Sequence, residues 1–92
     1  MKSGTRSANQ LQLICLPDPG VDSDASIVGE LTAWYATSGQ SVTTGQLLYQ
    51  VSWPGLVIDY AAETSGVLVR KCVDLRQPVQ PETLIAQLSV KS

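Results

Sequence analysis

The chain has 92 residues and a formal charge of −2, with six basic residues and no histidine. That length predicts one domain with one small core. The missing histidine removes the commonest general base and neutral metal ligand, and the thin basic content excludes a nucleic-acid footprint, which needs a clear basic stripe.

In chain order, the opening stretch MKSGTRSANQ is small, polar and aperiodic. It reads as a flexible tail over residues 1–12, and it has no apolar core for a signal peptide. Residues 13–90 then form the domain. LQLICL is the first apolar run, and PDPGVDSDAS is turn chemistry, made acidic by Asp18, Asp22 and Asp24. IVGELTAWYA, LLYQVSW, LVIDYAA, VLVRKCV and LIAQLSV follow, each separated by turn signals. Short β-branched or apolar runs at intervals of roughly 8–12 residues predict an all-β sandwich or barrel. No apolar run approaches the roughly 20 residues of a membrane helix, so a soluble, cytoplasmic protein without membrane contact is the expectation. Cys15 and Cys72 lack the spacing of a redox or zinc motif and read as free thiols, a Cys15–Cys72 disulfide being the alternative.

An internal repeat organises these runs. GELTAWYATSGQSVTTGQLLYQVS from Gly29 matches GVLVRKCVDLRQPVQPETLIAQLS from Gly66, without a gap, at a spacing of 37 residues. Gly29/Gly66, Leu31/Leu68, Gln40/Gln77, Val42/Val79, Leu47/Leu84, Gln50/Gln87 and Ser52/Ser89 are identical pairs. Two copies are too few for a solenoid, so they predict pseudo-twofold symmetry within one closed sheet structure. Positions apolar in both copies are placed inside: Leu31/Leu68, Val42/Val79, Leu47/Leu84 and Val51/Leu88. Ala36/Val73 is apolar too, but lies an odd number of residues from Leu31/Leu68. A bulge between them reconciles the two faces. Trp34, matched to Lys71, is placed against the core, with a partner-facing position as the alternative. The turns differ: Gly39 and Gly45 permit positive φ, while Arg76 and Glu82 stand in the second copy, with Pro78 and Pro81 expected to stiffen that loop instead.

Gly29, Leu31, Trp34, Gly39, Val42, Gly45 and Leu48, the upstream Leu16–Gly20 and the later Gly66, Val79, Leu84 and Ile85 together resemble the lipoyl/biotinyl carrier domain family. The resemblance spans roughly residues 13–90. It implies a flattened barrel of two four-stranded antiparallel sheets with a quasi-twofold axis. It also implies a hairpin whose tip holds a lysine amidated by lipoate or biotin, presented as Asp-Lys-Ala or Met-Lys-Met. Here that position falls on Gly55, flanked by Trp53, Pro54 and Leu56, and it lies eleven residues before Gly66 as the family's lysine does. The family's following acidic position falls on Asp59. Lys71, Lys91 and Lys2 each lie away from the hairpin.

The resemblance therefore implies a scaffold without its attachment point, and no cofactor. A non-catalytic module that contacts a protein partner is the first reading, with Trp53 and Leu56 as apolar anchors. Alternatively, Trp53 packs back on the neighbouring strand. The other reading is a swinging-arm carrier of a 2-oxo-acid dehydrogenase or biotin-dependent carboxylase system, which needs a lysine at the tip. Adaptors of membrane-fusion type use similar halves but add long helical hairpins and an anchor, and neither is found in this sequence. An enzyme is not expected, because no nucleophile–base pair assembles and Asp59 and Glu63 read as solvated.

Overall fold

The computed structural model describes residues 9–20 and 27–91, so Lys2, Asp22 and Asp24 lie outside the described residues. Eight strands form: β1 (Asn9–Cys15), β2 (Gly29–Trp34), β3 (Ser41–Val42), β4 (Leu47–Trp53), β5 (Leu56–Ala61), β6 (Gly66–Lys71), β7 (Pro78–Val79) and β8 (Leu84–Lys91). They make two antiparallel four-stranded sheets, ordered β1-β8-β6-β3 and β5-β4-β2-β7. The expected all-β, two-sheet architecture is present. β1 starts at Asn9, so residues 9–12, expected in the tail, belong to the first strand.

The two sheet orders interconvert when β1–β4 are exchanged with β5–β8, which is the pseudo-twofold expected from the repeat. The halves are stitched reciprocally. Gly39 N–H donates to Leu68 O and Arg76 N–H to Leu31 O; Leu68 N–H donates to Gln40 O and Leu31 N–H to Gln77 O. The repeated glycine and serine have a packing reason. A Cβ on Gly66 would sit 2.6 Å from the Ser89 carbonyl oxygen, and one on Gly29 would sit 3.1 Å from that of Ser52.

The bulges obey the same symmetry. Register shifts between Leu31 and Ala33 in β2, and between Leu68 and Arg70 in β6, so the expected bulge is present. It lets Leu31 and Ala36, and likewise Leu68 and Val73, all face inward. A second pair was not anticipated. Register also shifts between Leu47 and Tyr49 in β4, and opposite Ile14/Cys15 in β8. This corrects the placement of Leu47 and Leu84 in the core. Leu47 is 42% exposed, and Leu48 and Ile85 are buried instead. Strict alternation fails there because the extra residue turns two successive side chains, Leu48 and Tyr49, to the same side.

The second-half loop also departs from expectation. Arg76 (φ 71°) and Glu82 (φ 75°) hold the same left-handed backbone as Gly39 (φ 89°) and Gly45 (φ 91°). The prolines did not replace that geometry; they were added to it. Pro78 lies in the edge strand β7, where its missing N–H leaves no rung of the ladder unfilled. Cys15 and Cys72 are free thiols on opposite sides of β8, since Cys15 pairs with Leu84 and Cys72 N–H donates to Ile85 O. Two strand spacings, roughly 10 Å, exceed what a disulfide spans. Among the described residues, no helix is long and apolar enough to cross a membrane, and no cluster of metal-binding side chains occurs.

Candidate functional site

The β4–β5 hairpin is built by two apolar strands closed on Pro54-Gly55. Trp53 pairs with Leu56, Ser52 with Val57, Val51 with Ile58, and Gln50 with Asp59. Proline fixes φ at the first turn position, and Gly55 takes φ 76° at the second, the combination of a type II turn. Pro54 and Gly55 are exposed. A Cβ on Gly55 would meet no atom within 4 Å, so the tip projects into open space. It presents backbone and a proline ring, with no amine, thiol or carboxylate.

The residues beside the tip divide. Trp53 is 2% exposed and belongs to the core, which removes it as an anchor. Its Nε1–H donates to Tyr60 Oη at 3.1 Å, and its ring packs over Gly29. Leu56 (37% exposed) and Val57 (58% exposed) are the apolar groups that remain on the surface. A shallow groove of about 420 Å³ runs along one flank of the hairpin, lined in part by Trp53, Pro54, Glu30, Arg76 and Pro78. Arg76 and Glu30 approach to 3.9 Å there.

Away from the tip, the outer surface of the hairpin carries a polar network that the sequence did not reveal. Asp59 Oδ1 accepts from Tyr35 Oη at 2.9 Å and from Gln50 Nε2 at 3.0 Å; Gln50 Oε1 accepts from Thr32 at 2.8 Å. The hydrogen bond to Asp59 holds the Tyr35 phenol above its ordinary pKa, with desolvation and the Asp59 charge adding to it. The repeat match Gln50/Gln87 was the available signal, but nothing in it pointed to Tyr35.

On the inner side, Trp34, Tyr49 and Tyr60 form one cross-strand row. Tyr49 and Tyr60 stack at 4.9 Å, and Trp34 tilts against Tyr49 at 5.7 Å. Trp34 Nε1–H donates to Val73 O, which confirms its place against the core. Lys71, its counterpart in the repeat, sets its ammonium 5.3 Å over the Trp34 ring. That contact near the pseudo-twofold puts Lys71 on the body of the sandwich. Lys91 is the last residue of β8. Neither lies on a hairpin tip.

No protein-family model matches the chain, and no curated protein matches it in sequence. Among solved structures it is similar to the lipoyl domain of the 2-oxoglutarate dehydrogenase complex from Azotobacter vinelandii, with a TM-score of 0.66 and 20% identity. The match covers 82% of this chain and 94% of that domain. What this likeness establishes is the fold: the two sheets of this chain are arranged as in a lipoyl domain.

Proposed function

We propose that this chain is a non-catalytic lipoyl/biotinyl-like module that has lost the attachment lysine and works through protein contact or as a structural part of an assembly. The observation that carries the reading is Gly55 at the exposed tip of the β4–β5 hairpin, with no side chain to amidate. The likeness to a carrier domain supports the scaffold, and the family resemblance aligns the acceptor position with Gly55. Trp53, Pro54, Gly55 and Leu56 thus form a degenerate acceptor hairpin, kept as shape.

The contact surface follows from exposure. Leu56, Val57 and the groove beside Pro54 offer apolar area at the rim of a rigid hairpin, while Trp53 supports it from beneath. The module works in the cytoplasm, binds neither nucleic acid nor membrane, and holds no cofactor. The carrier alternative requires an amine at the tip, and Pro54-Gly55 supplies none.

Rebuilding the acceptor tests the reading. Pro54→Asp, Gly55→Lys and Leu56→Ala together restore a family-type tip. Co-expressed with lipoate and biotin ligases, that variant is expected to gain a lipoyl group while the parent stays unmodified. A folded triple variant that no ligase modifies would sink the claim that this hairpin derives from an acceptor.

A further inference from the structure

The outermost strands of the two sheets differ in how their open edges are guarded. β3 and β7 are two residues long, and β7 begins with Pro78. β5 carries Asp59. Short length, proline and charge are the usual barriers to edge pairing. β1, NQLQLIC, has none of them: it runs from Asn9 to Cys15 without a charged residue or a proline. Among the described residues it pairs with β8 alone. Leu11 and Leu13 stand on its outer face, 62% and 57% exposed, while Ile14 packs against the core.

The backbone direction of β1 follows from its neighbours. Leu68 N–H donates to Gln40 O and Leu68 O accepts from Gly39 N–H, so Leu68 faces β3 and the adjacent Val67 faces β8. Val67 pairs with Ser89; the adjacent Leu88 therefore faces β1, where its partner is Gln12. Gln12 thus directs its N–H and C=O to β8, and Leu11 and Leu13 direct theirs to the open edge. Leu16, an even number of residues from Gln12, agrees: it donates to Thr83 O and accepts from Glu82 N–H, both on the β8 side.

We infer that β1 is the seam of a homodimer, in which two copies of this chain pair β1 with β1, antiparallel, about a twofold axis through Gln12. The two β1-β8-β6-β3 sheets then become one. Gln12 is the midpoint of Asn9–Cys15, so this register keeps the whole strand in the ladder. It sets Leu11 opposite Leu13 of the second copy, and Leu13 opposite Leu11 of the second copy, so open-edge N–H groups meet open-edge C=O groups. The four leucines form one row on the outer face and cover one another. A twofold axis brings a strand's charges close to their own copies, and β1 has none to repel. One strand pair is a small contact, so association in the micromolar range is expected. The seam uses neither Gly55 nor the β4–β5 hairpin and stands independently of the proposed function.

Sedimentation equilibrium of the full chain under reductant tests the seam, and a mass rising from monomer to dimer with concentration is expected. Leu13→Pro removes an open-edge N–H and no rung to β8. With one such bond lost from each copy, the dissociation constant is expected to rise roughly thirtyfold. Gln12→Lys sets two ammonium groups opposite each other and is expected to weaken the dimer too. Leu75→Lys, at an exposed leucine away from β1, is expected to leave it unchanged. Circular dichroism of each variant checks the fold. Oxidation in a Cys15→Ser, Cys72→Ser background tests the register: Gln12→Cys is expected to cross-link the dimer, and Gln10→Cys, opposite Ile14 of the second copy, is not. A monomer at every concentration up to roughly 1 mM overturns the inference and leaves the edge to a different chain. So does a dimer that Leu13→Pro and Gln12→Lys leave intact, and cross-linking through Gln10→Cys alone overturns the register.

Discussion

Glu82→Gly is expected to stabilise the domain. Glu82 holds φ 75°, and its counterpart Gly45 holds φ 91°. A side chain in left-handed backbone costs about 1–2 kcal/mol. Glycine removes that cost but frees the unfolded chain by about 0.5–1 kcal/mol. The balance is a gain of about 0.5–1 kcal/mol, or roughly 2–8 °C in Tm for a domain of this size. Arg76→Gly, at φ 71°, follows the same arithmetic less its contact with Glu30. That contact is long, and the Arg76 side chain is 83% exposed, so it subtracts only a few tenths of a kcal/mol, as about 0–1 is usual for such pairs. The reverse swaps, Gly39→Arg and Gly45→Glu, should destabilise by similar amounts, because a Cβ at either position meets nothing within 4 Å and backbone strain is the whole cost. Urea unfolding monitored by tryptophan fluorescence measures all four, with constant m as the control. If Glu82→Gly lowers the midpoint while Gly45→Glu leaves it unmoved, the two halves do not share turn geometry and the reasoning fails.

Trp53→Ala should cost about 3–5 kcal/mol in thermal or urea unfolding, a large part of any small domain's margin; a loss under about 1 kcal/mol would return Trp53 to the surface. Gly66→Ala should cost about 1–3 kcal/mol, since its Cβ meets the Ser89 carbonyl oxygen at 2.6 Å and backbone must shift; calorimetry of the variant checks this. Burial raises Tyr49 and Tyr60, and the Asp59 hydrogen bond raises Tyr35, so all three phenols ionise later in the folded chain than in the unfolded one. Their contribution is therefore complete below about pH 10 and is lost as pH rises through the folded values. Phenolate absorbance should rise together with unfolding, and a normal midpoint for all three in the folded chain would refute the burial of Tyr49.

The repeat made the architecture legible, because two copies of one pattern constrain the core more than either alone. It located Leu31, Val42 and Val51 with their counterparts, and it required a bulge after Leu31 to bring Ala36 inside. It misplaced Leu47 and Leu84 because a neighbouring pair, Leu48 and Ile85, is apolar in both copies too. Only pairing with β5 and β1 decides which of the two turns inward. Arg76 and Glu82 hid their backbone because neither residue type favours left-handed φ, and only their match to Gly39 and Gly45 in the repeat marked it. The hairpin tip was readable from Pro54-Gly55, as that pair dictates its own turn. Trp53 was not, since its burial depends on the space beside Gly29 and on Tyr60. The Tyr35–Gln50–Asp59 network arises where β2, β4 and β5 meet, which no local pattern encodes.

The most direct test of the central claim is the intact mass of the unaltered chain after co-expression with lipoate ligase and with biotin ligase. The proposed loss of the acceptor predicts the unmodified mass in both cases. A mass raised by one lipoyl or biotinyl group would contradict it and would make this chain a carrier through another lysine.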